Sequence, residues 1–358
     1  MSVLQNALVL TARQGAFAIS PISIPTPDRG QLLIKVQAAA LNPVDWKVQA
    51  NGIIVTDYPA ILGTDIAGVV EELGDGVEGF RKGDRVLTQG YFHNTHAGFQ
   101  QFTLANADVT AKIPSHLTFE QAATIPVGLG TAALGLYTQN VPPGVDFGSA
   151  RLIPPWDPLG RGRYVGKPFM VLGASSSVGQ YVLQLARLSG FSPIIATASL
   201  HNATHLQSLG ATHVLDRQLS AFDLRTEVAK ITSKPFDVIF DAVSLPATQN
   251  AAYEILAYGG CLIVVLYPRI NINPSTQAPG REKRVEKAFG QVNFPPENRA
   301  VGATLYRNLT ALLEEGLIRP NRVEILPGGL AAAVAGLDRL RNGTVSGVKL
   351  VLRPQETT

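Results

Sequence analysis

The stretch Phe169–Arg187, FMVLGASSSVGQYVLQLAR, constrains the fold more than any other part of this chain. An apolar run leads into a turn of small residues, and a helical pattern follows without a gap. That is a strand, a tight turn and a helix, the opening unit of a dinucleotide-binding fold. Small side chains at the turn let the backbone approach a pyrophosphate, and the helix N-terminus offers N–H groups and the positive end of its dipole. Gly173, Ser175, Ser176, Ser177 and Val178 are the expected cradle. Serines stand where a strict G-x-G-x-x-G would have glycines, so the turn needs support from its surroundings.

The next hundred residues supply it. Ser192–Ala198 (SPIIATA) reads as a second strand, followed by a helical stretch through Leu209, Gly210 and the short strand THVLD. Phe236–Val243 (FDVIFDAV) and Gly259–Leu266 (GGCLIVVL) read as later strands. Apolar runs alternating with helical patterns predict a parallel sheet covered on both faces, a doubly wound α/β domain.

The end of the second strand bears on the cofactor. An NAD site usually has Asp or Glu there, bonded to the ribose 2′-OH. Here the strand runs into Ser199, Leu200, His201 and Asn202, without an acid. Hydroxyl, imidazole and amide groups suit a 2′-phosphate, and Arg217 after the next strand adds positive charge. The expected cofactor is NADPH, with Ser199, His201, Asn202 and Arg217 around its phosphate. The same residues also read as caps of the following helix.

At 358 residues, with 46% hydrophobic and 16% charged residues, the chain has material for two globular domains. A net charge of +3 without a long basic run points away from nucleic acid and from anionic membranes. Cys261 is the single cysteine and sits in an apolar run, so no intramolecular disulfide forms and the residue reads as core. There is neither a signal-peptide pattern nor an apolar stretch of spanning length. A soluble, cytoplasmic protein is expected.

Residues 1–128 differ in character. Short alternating strands separated by Gly and Pro suggest a compact β-rich barrel. It contains ALNPVDWK (Ala40–Lys47), YPAILGTDIAGVVEELGDGVEGFRKGDRV (Tyr58–Val86) and IPSHLTFEQAATIPVGLGTAALGL (Ile113–Leu136). In this order, and with the ending LLEEGLIRPNRVEILPGGLAAAVAGLDRLRNGTVSGVKLVL, the motifs resemble the medium-chain dehydrogenase/reductase superfamily. The resemblance implies a GroES-like domain from residues 1–128 and 285–358 and a Rossmann NADPH-binding domain from 129–284. The active site is then expected in the cleft between them.

The superfamily's zinc branch carries a Cys at the start of the catalytic region, a His-Glu pair and a four-Cys lobe. This chain reads Gly63-Thr64-Asp65 where that branch reads GHE, so no catalytic zinc is expected. His93 and His96, three apart, read as loop residues near the substrate mouth. The chain is similar to the zinc-free branch: quinone oxidoreductases and the fungal trans-acting enoyl reductases of polyketide synthases, lovastatin type included. NPVDWK, GASSSVG and a Pro/Gly-rich insertion at Thr138–Pro168 carry that likeness. The insertion has too many turn residues for a regular element and reads as surface between the domains.

The resemblance implies NADPH-dependent reduction of the C=C bond of an α,β-unsaturated carbonyl, an enone or an enoyl thioester. It puts Lys47 near the cofactor and the reacting centre, Thr131 near the nicotinamide, and Lys349 at the cofactor end of the cleft. Asn42 and Asp45 read as shaping the turn. Tyr91 and His93, following DRVLTQG, are candidate pocket residues and proton sources, with solvent as the other source. Quinone reduction, or a cofactor-binding partner of a polyketide synthase with little activity of its own, remain open. So do a monomer or homodimer and an acyl carrier protein as partner. Gln89–Gln100 and Arg269–Ala300 are expected to set selectivity. Arg281–Phe289, REKRVEKAF, reads as a basic amphipathic helix, either a docking face or plainly solvated.

Overall fold

Short strands with one buried face open the chain, and their pairing follows from the alternation along them. β1 (Leu4–Leu10) pairs antiparallel with β2 (Phe17–Ser23). β3 (Gln31–Ala40) runs into α1 (Pro43–Asn51), which is followed by β4 (Ala60–Ile61), β5 (Asp65–Leu73) and β6 (Arg85–Gln89). β7 (Phe102–Asn106), β8 (Thr110–Lys112), α2 (Phe119–Ala122) and α3 (Pro126–Tyr137) complete this part. β4 adds to β1 in a three-stranded sheet, while β3, β5, β6, β7 and β8 join a larger one. Leu32 and Ile34 of β3, Val70 of β5, Val86 of β6 and Ala105 of β7 meet in one apolar cluster. Burying each of the larger ones contributes roughly 1.5–3 kcal/mol.

The middle of the chain alternates strand and helix: β9 (Phe169–Leu172), α4 (Ser177–Leu188), β10 (Ile194–Ala198), α5 (Ala203–Leu209), β11 (His213–Asp216) and α6 (Ala221–Ile231). β12 (Phe236–Asp241), α7 (Pro246–Ile255), β13 (Leu256–Val264) and β14 (Arg284–Lys287) follow. All neighbours are parallel, in the order β11-β10-β9-β12-β13-β14. This is the Rossmann order, with the first strand in the middle and the direction of winding reversing between β9 and β12. Apolar residues of β9, β12 and β13 pack with Leu224, Val228, Ala251 and Ala252 of the covering helices.

REKRVEKAF is not a helix: its centre is β14, the edge strand beside β13. A segment this short nucleates a helix poorly, whereas the open edge of β13 offers a row of main-chain partners. Charged residues are what an edge strand carries.

The insertion has no strand or helix between Tyr137 and Phe169, yet it is pinned along its length. Gly148 N–H donates to the Lys287 carbonyl, Gly162 N–H to Leu188 and Tyr164 N–H to Ser189. The Tyr164 ring stacks on Phe191 at 4.9 Å, and Asp146 pairs with Lys287 at 2.7 Å.

The chain then returns through α8 (Pro296–Glu314), β15 (Arg322–Ile325), α9 (Ala332–Arg341) and β16 (Val348–Leu352). β16 pairs parallel with β15 and antiparallel with β3. Contacts divide the molecule into a first unit of Met1–Val127, Gln291–Glu315 and Pro320–Thr358, and a second of Gly128–Gly290 and Gly316–Arg319. The structure, a computed structural model, describes residues 3–271 and 280–357. Among these, no helix is long and apolar enough to cross a membrane.

Candidate active site

In the first unit, Asn42 and Pro43 turn the end of β3 into α1. Proline suits this first helical position, where no N–H is required. The Asn42 N–H donates to the Asp45 carboxylate at 2.8 Å, and Gly52, left-handed at φ 60°, ends the helix. α1 carries Lys47, whose half-buried ammonium lies 5.7 Å from the Trp46 ring centroid. Burial pulls its pKa down.

Beneath α1 lies a buried polar cluster. Lys349 of β16 places Nζ 2.8 Å from Asp65 Oδ2 and 2.6 Å from Asn42 Oδ1. The Asn42 amide donates to the same Asp65 oxygen at 2.9 Å, and Val127 N–H, in the first turn of α3, donates to Oδ1 at 2.7 Å. Asp65 therefore ties the starts of α1 and α3 to β5 and β16. The neighbouring Asp45 is fully buried, with Oδ1 unpartnered. Burial, with Asp65 adding repulsion, pushes its carboxyl up to about 7 against the Asn42 bond. The resemblance puts Lys349 beside the cofactor; here its charge is engaged by Asp65 inside the first unit.

The loop after β6 brings three aromatic rings together. Tyr91 stacks on His96 at 4.4 Å and meets Phe294 edge-on at 5.6 Å. Its phenol is half-buried, and burial raises its pKa. His96 is buried and its pKa falls to about 4, through burial and the neighbouring His93. The Gln89 carbonyl and side-chain oxygen bind Asn293 and Val292, which tether this loop's base to the returning chain. Of the Arg269–Ala300 segment, residues 272–279 lie outside the described residues.

Thr131 lies in the second unit, buried in α3. A Cβ on Gly290 would run into its hydroxyl, so glycine there gives the close approach.

The dinucleotide candidates gather at the carboxyl ends of β9 and β10. Gly173 is left-handed at φ 71°, and Val243 beside it leaves no room for a Cβ. Its N–H donates to the Thr197 hydroxyl at 3.2 Å, and Ala174 N–H to the Thr197 carbonyl at 3.0 Å. Ser176 caps α4 by accepting from Gly179 N–H at 3.0 Å. A Cβ on Gly179 would lie 2.7 Å from Ala174 Cα, so the helix sits hard against the turn. Ser175, Ser177 and Val178 are half-exposed around this N-terminus. At the end of β10, Arg217 Nε donates to Ser199 Oγ at 2.8 Å. His201 and Asn202 lie 3.1 Å apart, His201 exposed and Asn202 buried. The close turn, the capped helix start and the acid-free strand end fit a nicotinamide dinucleotide.

The sequence reading passed over Asp241, which ends β12 opposite this turn. Its Oδ1 accepts from Val243 and Ser244, and Oδ2 from the Thr248 hydroxyl at 2.6 Å. Burial raises its pKa despite these donors. A lone acid closing an apolar run was the available signal. It shapes the loop that holds Val243 against Gly173.

Among the described residues, no three His, Cys, Asp or Glu side chains converge. Asp65 is committed to Lys349, and Cys261 is buried in β13.

Residues 28–115 match the alcohol dehydrogenase GroES-like domain and residues 177–293 the zinc-binding dehydrogenase domain. The trans-enoyl reductase resD of Aspergillus sclerotiorum is 32% identical over 97% of this chain and 99% of its own. The trans-enoyl reductase himH of Aspergillus japonicus is 33% identical over 95% of this chain and 94% of its own. An alcohol dehydrogenase superfamily protein from Novosphingobium aromaticivorans superposes with a TM-score of 0.76 at 23% identity, covering 97% of this chain and 99% of the other. The paired folds, the dinucleotide turn and this whole-length likeness place the chain in the medium-chain dehydrogenase/reductase superfamily, oxidoreductases that bind a nicotinamide cofactor.

Proposed function

We propose that this chain reduces the C=C bond of an α,β-unsaturated carbonyl with NADPH and without zinc, and that its substrate is an enoyl thioester carried by a polyketide synthase. The observation that carries this reading is the whole-length likeness to trans-enoyl reductases. The preference for NADPH is supported by Arg217 bonded to Ser199 at a strand end without an acid. When bound, the reduced nicotinamide supplies the hydride for the β-carbon.

The chain's own residues provide position and charge. The turn at Gly173–Val178 and the start of α4 hold the pyrophosphate, and Arg217 with Ser199 holds the 2′-phosphate. Lys47 donates a hydrogen bond to the substrate carbonyl oxygen as negative charge builds there. Its partial burial strengthens that interaction, because less water competes for the ammonium. Thr131 orients the reacting end of the substrate by a hydroxyl contact.

The test is NADPH oxidation against an enoyl thioester, a simple enone, a quinone and an aldehyde, with and without a strong chelator. Chelator-insensitive turnover of the thioester, much slower with NADH, is expected. Turnover confined to quinones, or lost on chelation, overturns the reading.

A further inference from the structure

The loop after β6 holds a pair of imidazoles that the chemistry above leaves unused. His93 is exposed, and its Nδ1 lies 2.8 Å from Thr95 Oγ1. The same hydroxyl lies 2.8 Å from Nδ1 of the buried His96. On the far side of His96, its Nε2 faces Gln31 Nε2 at 3.4 Å. The Gln31 Oε1 is taken by the Asp28 N–H at 3.0 Å, so the amide presents its N–H to His96. That orders the protons: His96 accepts at Nε2 and donates from Nδ1 to Thr95. The hydroxyl oxygen keeps a second lone pair for a His93 Nδ1–H. Burial keeps His96 neutral, with its pKa lowered to about 4.

Hydrogen bonds pin this loop at several points. His93 N–H bonds to Tyr91 O at 2.7 Å, and His96 and Ala97 N–H both return to His93 O. Asn94 accepts from Ile61 N–H and donates to Pro59 O, each at 2.9 Å, and Tyr91 covers the His96 ring. With Nδ1 held by Thr95, Nε2 is the ring nitrogen left for a substrate.

His93 lines a cavity of 330 Å³, together with Ile54, Val55, Asp57, Ala60 and Phe92. Ile54, Val55 and Asp57 belong to the loop after α1, the helix that carries Lys47. There Ile54 is left-handed at φ 72° and 60% exposed. A β-branched residue rarely adopts that conformation, and such strain concentrates at functional sites. One cavity thus brings Ile54 and Val55, on the loop that follows the Lys47 helix, together with the imidazole of His93, on the loop that bears Tyr91.

We propose that His93 is the proton donor to the α-carbon, and that Thr95 and His96 are positioning residues that hold its ring. This rests on the enoyl-reductase reading. Once the β-carbon is reduced, the enolate electron pair takes the proton from His93 Nε2 to form the α C–H bond, and the carbonyl re-forms. The imidazolium becomes a neutral imidazole that keeps Nδ1–H on Thr95, and solvent restores the Nε2 proton at the exposed edge. Tyr91 suits the task less, since burial makes its phenol a weaker acid and its ring is spent on His96 and Phe294. The titratable groups facing His93 are Tyr91 and His96 of its own loop and Asp57 across the cavity.

The test uses an α-methyl enoyl thioester of pantetheine, so that protonation creates a stereocentre. Wild type gives one enantiomer. His93→Phe lowers kcat about 100-fold, the scale of a lost general acid, and gives a near-racemic product because water protonates the enolate. Thr95→Val, which keeps the imidazole but frees it, erodes the enantiomeric excess with a smaller loss of rate. A His93→Phe protein that keeps both rate and single enantiomer overturns the proposal while the enoyl-reductase reading stands. A wild type that reduces enones but no thioester overturns the thioester assignment, and the α-methyl enone then carries the same test. Imidazole ¹⁵N NMR of the protein alone provides a readout apart from turnover. His96 protonated at Nδ1 and neutral at pH 5.5 is expected, and a His96 protonated at Nε2 alone overturns the positioning chain.

Discussion

Lys349 and Asp65 form an ion pair 2.8 Å long in the interior of the first unit, with both side chains almost wholly buried. They stand 284 residues apart in the chain, and the pair sits under the N-terminus of α1. A lysine that the resemblance puts at the cofactor end of the cleft is thereby ion-paired within the first unit.

Removing one partner leaves a buried charge uncompensated. Lys349→Met should destabilise the first unit by about 3–5 kcal/mol, seen as a lower urea midpoint. Lys349→Met with Asp65→Asn should recover most of that loss. A single variant as stable as wild type would mean the pair contributes nothing to folding.

Cofactor choice should move with the end of β10. Arg217→Ala should raise the KM for NADPH about tenfold, near 1.4 kcal/mol, and leave that for NADH nearly unchanged. Adding Ser199→Asp should reverse the preference, because a carboxylate repels a 2′-phosphate and binds a 2′-OH. Equal loss with both cofactors would assign Arg217 a structural role.

Gly173→Ala puts a methyl group against Val243 in a left-handed backbone. The expected cost is about 1–3 kcal/mol, with weaker NADPH binding by nicotinamide fluorescence. Gly83, also left-handed but with no atom near its Cβ, is the control for backbone strain alone. If both variants bind NADPH like wild type, close packing at the turn is not needed.

Two buried groups pull the pH dependence of stability in opposite directions. Asp45, raised to about 7, holds a proton in the folded state that the unfolded chain has lost, so its contribution falls as pH rises from about 4 to 7. His96, lowered to about 4, stays neutral in the folded state while the unfolded chain is protonated. Its contribution therefore falls as pH drops from about 6.5 to 4. Asp45→Asn should make the melting temperature rise more steeply with pH across that window, and His96→Gln should make it rise less. Unchanged slopes in both would remove these groups from the titration.

The doubly wound unit was legible because buried strands print as apolar runs and the helices between them carry amphipathic patterns. β9, the turn and α4 fall where FMVLGASSSVGQYVLQLAR puts them. α1 was hidden: PVDWKVQAN has no apolar stripe, and its start is set by Asn42, Pro43 and Asp45 rather than by periodicity. β14 was misread because its alternation of charge looks like a helix face, and only the open edge of β13 makes it a strand. The Asn42–Asp65–Lys349 cluster could not be read, since its members come from three distant segments and meet only through the register of β16 with β3. The His93–Thr95–His96 chain lay in a four-residue window, but its order depends on Gln31 from β3.

The pairing of β16 with β3 also sets a timetable. The second unit is almost one continuous stretch, Gly128–Gly290, and can collapse as it leaves the ribosome. The first unit is begun earlier and finished last: the end of β3 lacks its β16 partner, and Asp65 its countercharge, until residues 348–352 are made. During synthesis the nascent chain carries an open sheet edge and a buried-to-be carboxylate at its head. Loss of β16 would then leave β3 and β5, made about 280 residues earlier, unfinished.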